Sequence, residues 1–460
     1  MRTAMRKLAI ALLLVPALAW AGGYSVPTTV PRDLAMGDAL VGGQDSAGAV
    51  FKNPASLSRL SGLDLNLSFS LLGNGSTWHP TPASGYSGFS SVSTDFNAAY
   101  PVALFASWSG KVAGHGYGIG IGLNIPGGGN VFWPNAWPGG YAIETVNRRI
   151  YGSYLTAGIE LNPQFRIGGG LVYYYGTEQL SLYALLPGPA NAACPPLPGP
   201  TYPQCGFAGI ADKGGKISWD LSADVQPIPS YPLKIGFDFK NQANLTLTGP
   251  ATLTFPPLLQ STYPSQNATH VLPFPSVFNV GVSWKPIDEL EIDLAYTWEG
   301  YSAYVSDTFT GTSTDPLTGK TFTINVPRLY SDANVYRLGV GWRVMPELEL
   351  RGGILRDVTG VNPTVYNPSL PDADVWGGSL GLGYDLRRLS DSEIIQNFTI
   401  SAAFFYAWFD QLTSTAPTPQ VGQPVQGFPG NYNTYAWIAT IGIQWHWDPF
   451  AGKQGSTKSN

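Results

Sequence analysis

Residue types that carry chemistry are thinly spread in this sequence, and their spacing argues against most catalytic uses. Gly377, Ser379 and Gly381 satisfy a G-x-S-x-G pattern, which in a hydrolase holds a nucleophilic serine on a strand-to-helix elbow. Here the pattern lies inside an alternating stretch with no helix signal after it, so a nucleophile is not expected. His79, His115, His270 and His446 are scattered, and no two stand at metal-ligand spacing; neither a metal site nor a cofactor is predicted. The only two cysteines, Cys194 and Cys205, share one Pro-rich loop. In an oxidising compartment they are expected to bond to each other, which would be worth roughly 3 kcal/mol of local chain entropy.

The elements that must position these residues are strands. From Leu63 the chain alternates Leu63, Leu65, Leu67, Phe69 and Leu71 against Asp64, Asn66, Ser68 and Ser70, a dyad with one oily and one polar face. The same dyad recurs through Ala98–Trp108, Tyr117–Ile125, Ile150–Leu161, Phe165–Thr177, Lys216–Gln226, Leu233–Leu247, Ser276–Trp284, Leu290–Tyr301, Ala333–Val344, Leu348–Asp357, Val375–Leu386, Phe398–Phe409 and Tyr435–Trp447. Short connections alternate with long ones rich in Pro, Gly and aromatics. The pattern predicts an all-β fold, a 14-stranded antiparallel transmembrane β-barrel spanning residues 63–450, with short periplasmic turns and long outer loops. A soluble sandwich is the alternative, and strands near the bilayer requirement of about 9–11 residues disfavour it. On the oily face, aromatics at strand ends would form interfacial girdles. The polar face then points into the lumen, bringing Glu291 and Asp293 near Arg343, Glu349 and Arg351 as paired structural charges.

Composition agrees with that reading. Only 12% of the 460 residues are charged, 13% are aromatic, and the formal charge is −5, so a nucleic-acid surface with its clustered Lys and Arg is excluded. Residues 1–21 read as a signal peptide: Arg2, Arg6 and Lys7, an apolar run from Leu8 to Ala19, then Ala19-Trp20-Ala21. No later run reaches the length of a transmembrane helix. Residues 22–62 do not alternate, and Asp33 to Leu40 suits a short helical turn. A compact segment ahead of a barrel has one sheltered place to go, the lumen, where it would act as a plug and argue against a general porin. Residues 451–460 read as a polar tail.

Gly22-Gly23-Tyr24, the run from Met36 to Asn53-Pro54-Ala55, the strand from Leu63, Gly118-Ile119-Gly120, Leu272-Pro273 and Tyr336-Arg337-Leu338 together resemble the FadL/TodX family of outer-membrane transporters for long-chain fatty acids and hydrocarbons. The resemblance covers essentially the whole mature chain and implies a monomeric barrel in the bacterial outer membrane, assembled by the barrel assembly machinery among outer-membrane lipids. It also implies an N-terminal hatch, an oily outer groove, a tighter lumen site against the hatch, and sideways exit where the third strand kinks inward. The groove would draw on Leu180, Leu182, Leu185 and Leu186 of one loop and Leu253, Phe255, Leu258 and Leu259 of the next; packing of the loops against each other explains these residues equally well. The lumen site would be formed on the hatch side by Tyr24, Phe51, Asn53, Pro54 and Ala55. Lys240 and Arg337 face the lumen as candidate cations, and fatty acid and aromatic or aliphatic hydrocarbon both remain open as ligand. Phe132, Trp133 and Trp137 suit either the groove or the membrane interface. Pro126, Gly127, Gly128 and Gly129, lacking one ladder N–H and three side chains, are the expected lateral gate, with an ordinary strand end as the alternative.

Two other functions fit a barrel. An outer-membrane lipase or protease needs a His beside a Ser or Asp at one rim, and His446 has no evident Ser partner. A structural or adhesin barrel has no use for a mobile plug.

Overall fold

The computed structural model describes residues 24–449 apart from 87, 136, 184–205, 256, 262–263, 315–318, 320, 389–391, 393 and 418–426. The predicted leader 1–21, Leu185, Leu186, Cys194, Cys205 and the tail 451–460 lie outside the described residues, as do the side chains of Leu258 and Leu259.

Among the described residues the alternating stretches form fourteen antiparallel strands closed into a barrel. They are β1 (Gly62–His79), β2 (Val102–Val112), β3 (His115–Phe132), β4 (Thr145–Asn162), β5 (Phe165–Tyr183), β6 (Phe207–Val225), β7 (Leu233–Lys240 and Ala243–Thr254), β8 (Gln266–Phe274 and Val277–Ile287), β9 (Leu290–Glu299 and Ser306–Thr314), β10 (Thr321–Pro327 and Ala333–Arg343), β11 (Leu348–Val358), β12 (Val375–Asp385), β13 (Phe398–Phe409) and β14 (Gly430–Trp447). The ladder between β1 and β14, from Leu63 opposite Trp447 to His79 opposite Asn431, closes the sheet. Every strand is paired on both sides over at least part of its length, so the sheet has no free edge strand. Ile121, Leu155, Leu171, Leu221, Leu294, Leu380 and Ile441 point outward and are exposed, while Asp64, Ser68, Asp220, Asp293 and Ser379 on the opposite parity are buried.

Several strands outrun their predicted bounds. β5 continues to Tyr183, so Leu180 and Leu182 belong to the wall. β7 breaks at Asn241 and Gln242 and resumes to Thr254, which takes in Leu253, and β8 begins at Gln266, ahead of the predicted Ser276. These extensions were hidden because the barrel rises beyond the bilayer there, where the outer face need not be oily. Glu291 also finds another partner than expected. Its carboxylate meets Arg32 at 2.5 Å and Lys285 at 3.4 Å, rather than Arg343.

Residues 24–61 precede the sheet. They contain helix α1 (Pro31–Ala35), helix α2 (Ala49–Lys52) and a 3-10 helix (Pro54–Arg59). Both α1 and the 3-10 helix start on proline, whose fixed φ suits a first turn and whose missing N–H is unneeded there. Their contacts run round the whole barrel: Thr29 O accepts from Thr440 on β14, Ala47 N–H donates to Asp64 on β1, Ala55 N–H donates to Ser222 on β6, and Gly37 N–H donates to Ser379 on β12. A segment that touches strands on every side of a closed sheet lies within it. Glycines on the inner face allow the approach. A Cβ at Gly168 would stand 2.3 Å from Ala55 N, and one at Gly353 would stand 2.2 Å from Gly37 N.

Candidate functional site: a lumen cavity beside a break in the wall

Between the N-terminal segment and the inner faces of β3, β5 and β7 to β13 lies a cavity. Its apolar lining includes Phe51, Tyr174, Phe274, Val335, Leu355 and Phe405. The wall members among these sit on the lumen parity of their strands, where an apolar residue interrupts a polar face. That interruption was the available sequence signal for them, and sequence reasoning missed it. Phe274 is stacked by Tyr24, with ring centroids 6.1 Å apart, and Tyr24 meets the Tyr301 and Tyr304 rings edge-on. Burial pushes the Tyr24 hydroxyl well above its ordinary pKa, so it stays neutral.

The charged lining is internally matched. Lys52 Nζ meets Asp38 at 2.6 Å, and Lys240 Nζ meets Asp238 at 2.5 Å. Both ammonium groups flank the Phe51 ring, at 5.8 and 5.0 Å from its centroid, which places a cation on the π-face and holds the ring still. Arg337 stands 4.0 Å from Asp38 and donates to Thr297, which donates to Asn279, which donates to Asp238. Glu299, accepting from Ser25 at 3.0 Å, and Asp357 add two further carboxylates to the wall.

Of the residues singled out in the sequence, Phe51, Lys240, Arg337 and Pro126 line this cavity and Tyr24 buttresses it. Asn53, Pro54 and Ala55 do not line it. The Asn53 side chain donates to Val41 O at 3.0 Å and to Ala223 O at 3.2 Å, and Ala55 is held on β6, so these residues latch the segment to the wall. Phe255 stands at the outer end of β7, away from the cavity lining. Trp133 and Trp137 are not membrane-interface anchors. They are buried and stack at 4.1 Å, and Trp137 packs edge-on against Trp78 and Phe428 in an aromatic cap at the outer end.

One side of the cavity borders a discontinuity. The β2–β3 ladder runs from Val112 opposite His115 to Leu104 opposite Leu123 and stops there. β3 then bulges between Asn124 and Gly127 and continues against β4 alone. Its inside–outside alternation ends at the same point, with every residue from Pro126 to Val131 buried. The turned strand pairs instead with the N-terminal segment. Val26 N–H donates to Pro126 O at 2.9 Å, Gly128 N–H donates to Tyr24 O at 2.8 Å, and Ser25 bridges to Gly127. A Cβ at Gly127 would lie 2.9 Å from the Phe274 ring, so this approach requires glycine. Beyond the break, Asp95 N–H donates to Phe132 O at 2.8 Å and bounds it on the outer side.

Residues 12–447 match the family described as outer membrane protein transport protein (OMPP1/FadL/TodX). The chain belongs to this family. Its members are outer-membrane β-barrels, which places the protein in the bacterial outer membrane. Similar solved folds are a Pseudomonas aeruginosa FadL homologue (TM-score 0.76, 17% identity, 92% of this chain and 99% of that one) and the P. putida toluene transporter TodX (0.69, 13%, 93% and 100%). The CymD monoaromatic hydrocarbon channel follows (0.64, 15%, 94% and 99%). No curated protein sequence matches. As a FadL/TodX family member the chain is a transport barrel for hydrophobic molecules. Within it the G-x-S-x-G serine is committed to structure, donating to Ala35 O at 2.9 Å and accepting from Gly37 N–H at 3.1 Å.

Proposed function

We propose that the protein moves a neutral hydrophobic molecule, of the aromatic or aliphatic hydrocarbon class, from its outer loops into the lumen cavity and out sideways into the membrane between β2 and β3. Residues 24–61 act as the hatch that closes the straight route to the periplasm, so the lateral break is the dry path left to an apolar ligand. One observation carries the choice of a neutral ligand. Each cation on the cavity wall already has a carboxylate at or near contact distance: Asp38 for Lys52 and Arg337, and Asp238 for Lys240. An ionised carboxylate entering here would have to break a buried ion pair, which costs several kcal/mol, whereas a hydrocarbon needs only the apolar surface.

Binding of radiolabelled toluene and oleate to the purified barrel, each challenged by the other unlabelled, tests the reading. Saturable toluene binding that oleate displaces poorly is expected. Saturable oleate binding that toluene does not displace would transfer the assignment to fatty acids.

A further inference from the structure

Outside the cavity, one cluster of titratable side chains has no part in hydrocarbon transport. Glu178 on β5 and Asp212 on β6 stand directly opposite each other in the ladder, both on the inner face. They are 1% and 3% exposed. Like charges paired across a ladder repel, and burial strengthens the repulsion. His270 on β8, 1% exposed, turns Nδ1 toward both, 3.3 Å from Glu178 Oε2 and 3.7 Å from Asp212 Oδ2. Among the described residues, Glu178 Oε2, both Asp212 oxygens and His270 Nδ1 make no hydrogen bond. Four unpartnered buried atoms therefore converge on one point.

We propose that Glu178, Asp212 and His270 bind one divalent first-row transition ion of the Zn²⁺ type. The three residues offer ligand atoms that all lie within 4.8 Å of one another. A tetrahedral ion with bonds near 2.0–2.1 Å needs ligand atoms about 3.3 Å apart, and the two imidazole distances are close to that. They are long for charge-assisted N–H···O bonds, which run near 2.7–2.9 Å. The neighbouring Arg148 contacts on Glu178 Oε1, at 2.9 and 2.7 Å, do have that length.

The surroundings orient the ligands. His270 Nε2 lies 3.2 Å from Asp307 Oδ1, and Asp307 is held by Tyr304 at 2.7 Å and Arg328 at 2.8 Å. With the imidazole proton on Nε2 facing Asp307, Nδ1 presents a lone pair to two carboxylates, an arrangement that a cation between them resolves. Arg148 occupies only the outer oxygen of Glu178, leaving Oε2 for the ion. Three carboxylates face two guanidinium groups, and the unmatched charge is that of Asp212. A nitrogen and carboxylate oxygens without thiolate suit Zn²⁺ or its neighbours better than soft Cu⁺. A second, small cavity lined by Arg148, Glu178, Asp307 and Arg328 adjoins the cluster on the Glu178 side. Bound there, the ion would tie β5, β6 and β8 together above the lumen cavity.

The full-length barrel, stripped with a chelator in detergent and dialysed against Co²⁺ or Zn²⁺, tests this. One ion per chain by elemental analysis, visible Co²⁺ absorption bands, and a metal-dependent rise in unfolding temperature are expected. His270→Gln and Asp212→Asn should each weaken binding by roughly tenfold or more while keeping the heat-modifiable migration of a folded barrel. Failure of the folded wild-type protein to take up either ion would overturn the proposal in favour of an imidazolium held by the acids. Binding that survives in both folded variants would overturn it as well, since the ion would then sit elsewhere. Neither result bears on hydrocarbon binding, which is read separately.

Discussion

Asp33 sits inside α1, accepts from Gln44 at 3.2 Å and is 2% exposed. Burial pushes its carboxyl up to about 7 from 3.8, with Lys52 and Arg32 opposing the rise and Asp38 adding to it. The group binds its proton more tightly in the folded chain, so its contribution to stability is complete below about pH 4 and is lost as pH climbs through about 7. The N-terminal segment should therefore be released more readily at pH 8 than at pH 5, and Asp33→Asn should flatten that difference by up to a few kcal/mol. Proteolysis of the segment in the intact barrel, followed against pH, measures it; an unchanged profile in the variant would place the pH dependence on other groups. Ser379 makes a related point about single residues. Its motif read as a decoy, and the structure gives the reason. Its hydroxyl serves α1, and a Cβ at Gly381 would lie 2.6 Å from Ala35 Cβ, so the pattern fits a strand that receives a helix.

At the scale of elements, β3 carries one surplus residue in the middle of its ladder with β4. Asn124 stands opposite Gly152 and Gly127 opposite Ile150, three steps on β3 for two on β4. Such a bulge bends its strand, and here the bend carries Pro126 to Val131 off β2 and onto Tyr24, Ser25 and Val26. Deleting Pro126 restores an unbroken register with β4. We expect the shortened strand to extend its ladder with β2 past Leu104–Leu123 and to reduce hydrocarbon uptake at least tenfold, with outer-loop binding retained; tenfold corresponds to about 1.4 kcal/mol on the barrier. Wild-type uptake by a folded deletion variant would instead favour passage by movement of the hatch. The break was partly legible in the sequence, since Ile125-Pro126-Gly127-Gly128-Gly129 lacks both a ladder donor and side chains. Its partner was not, because the pairing of Gly127 with Ser25 joins positions about a hundred residues apart.

For the molecule as a whole, closure dominates. The long β1–β14 ladder links the two ends of the sheet, so unfolding must open many hydrogen bonds together. Unheated samples in detergent should migrate apart from boiled ones, and the shift should persist in Asp33→Asn, whose change lies within the lumen. Recovery of the protein as a soluble periplasmic species would contradict this. The aromatic cap of Trp78, Trp133, Trp137 and Phe428 covers the outer end, opposite the end where the chain enters β1 and leaves β14.

The barrel, its strand number and the face that meets lipid were legible along the chain. A bilayer forces strict alternation and a minimum strand length, and both are local properties written along the chain. Alternation also marked Lys240 and Arg337 as lumen residues, because parity follows from it. Contacts across the barrel were not legible in this way. Asn53, Pro54 and Ala55 are a latch, Glu291 pairs with Arg32, and His270 meets acids from three other strands. Around a closed sheet the inner faces of strands far apart in sequence converge on the same space, and no spacing along the chain records that convergence.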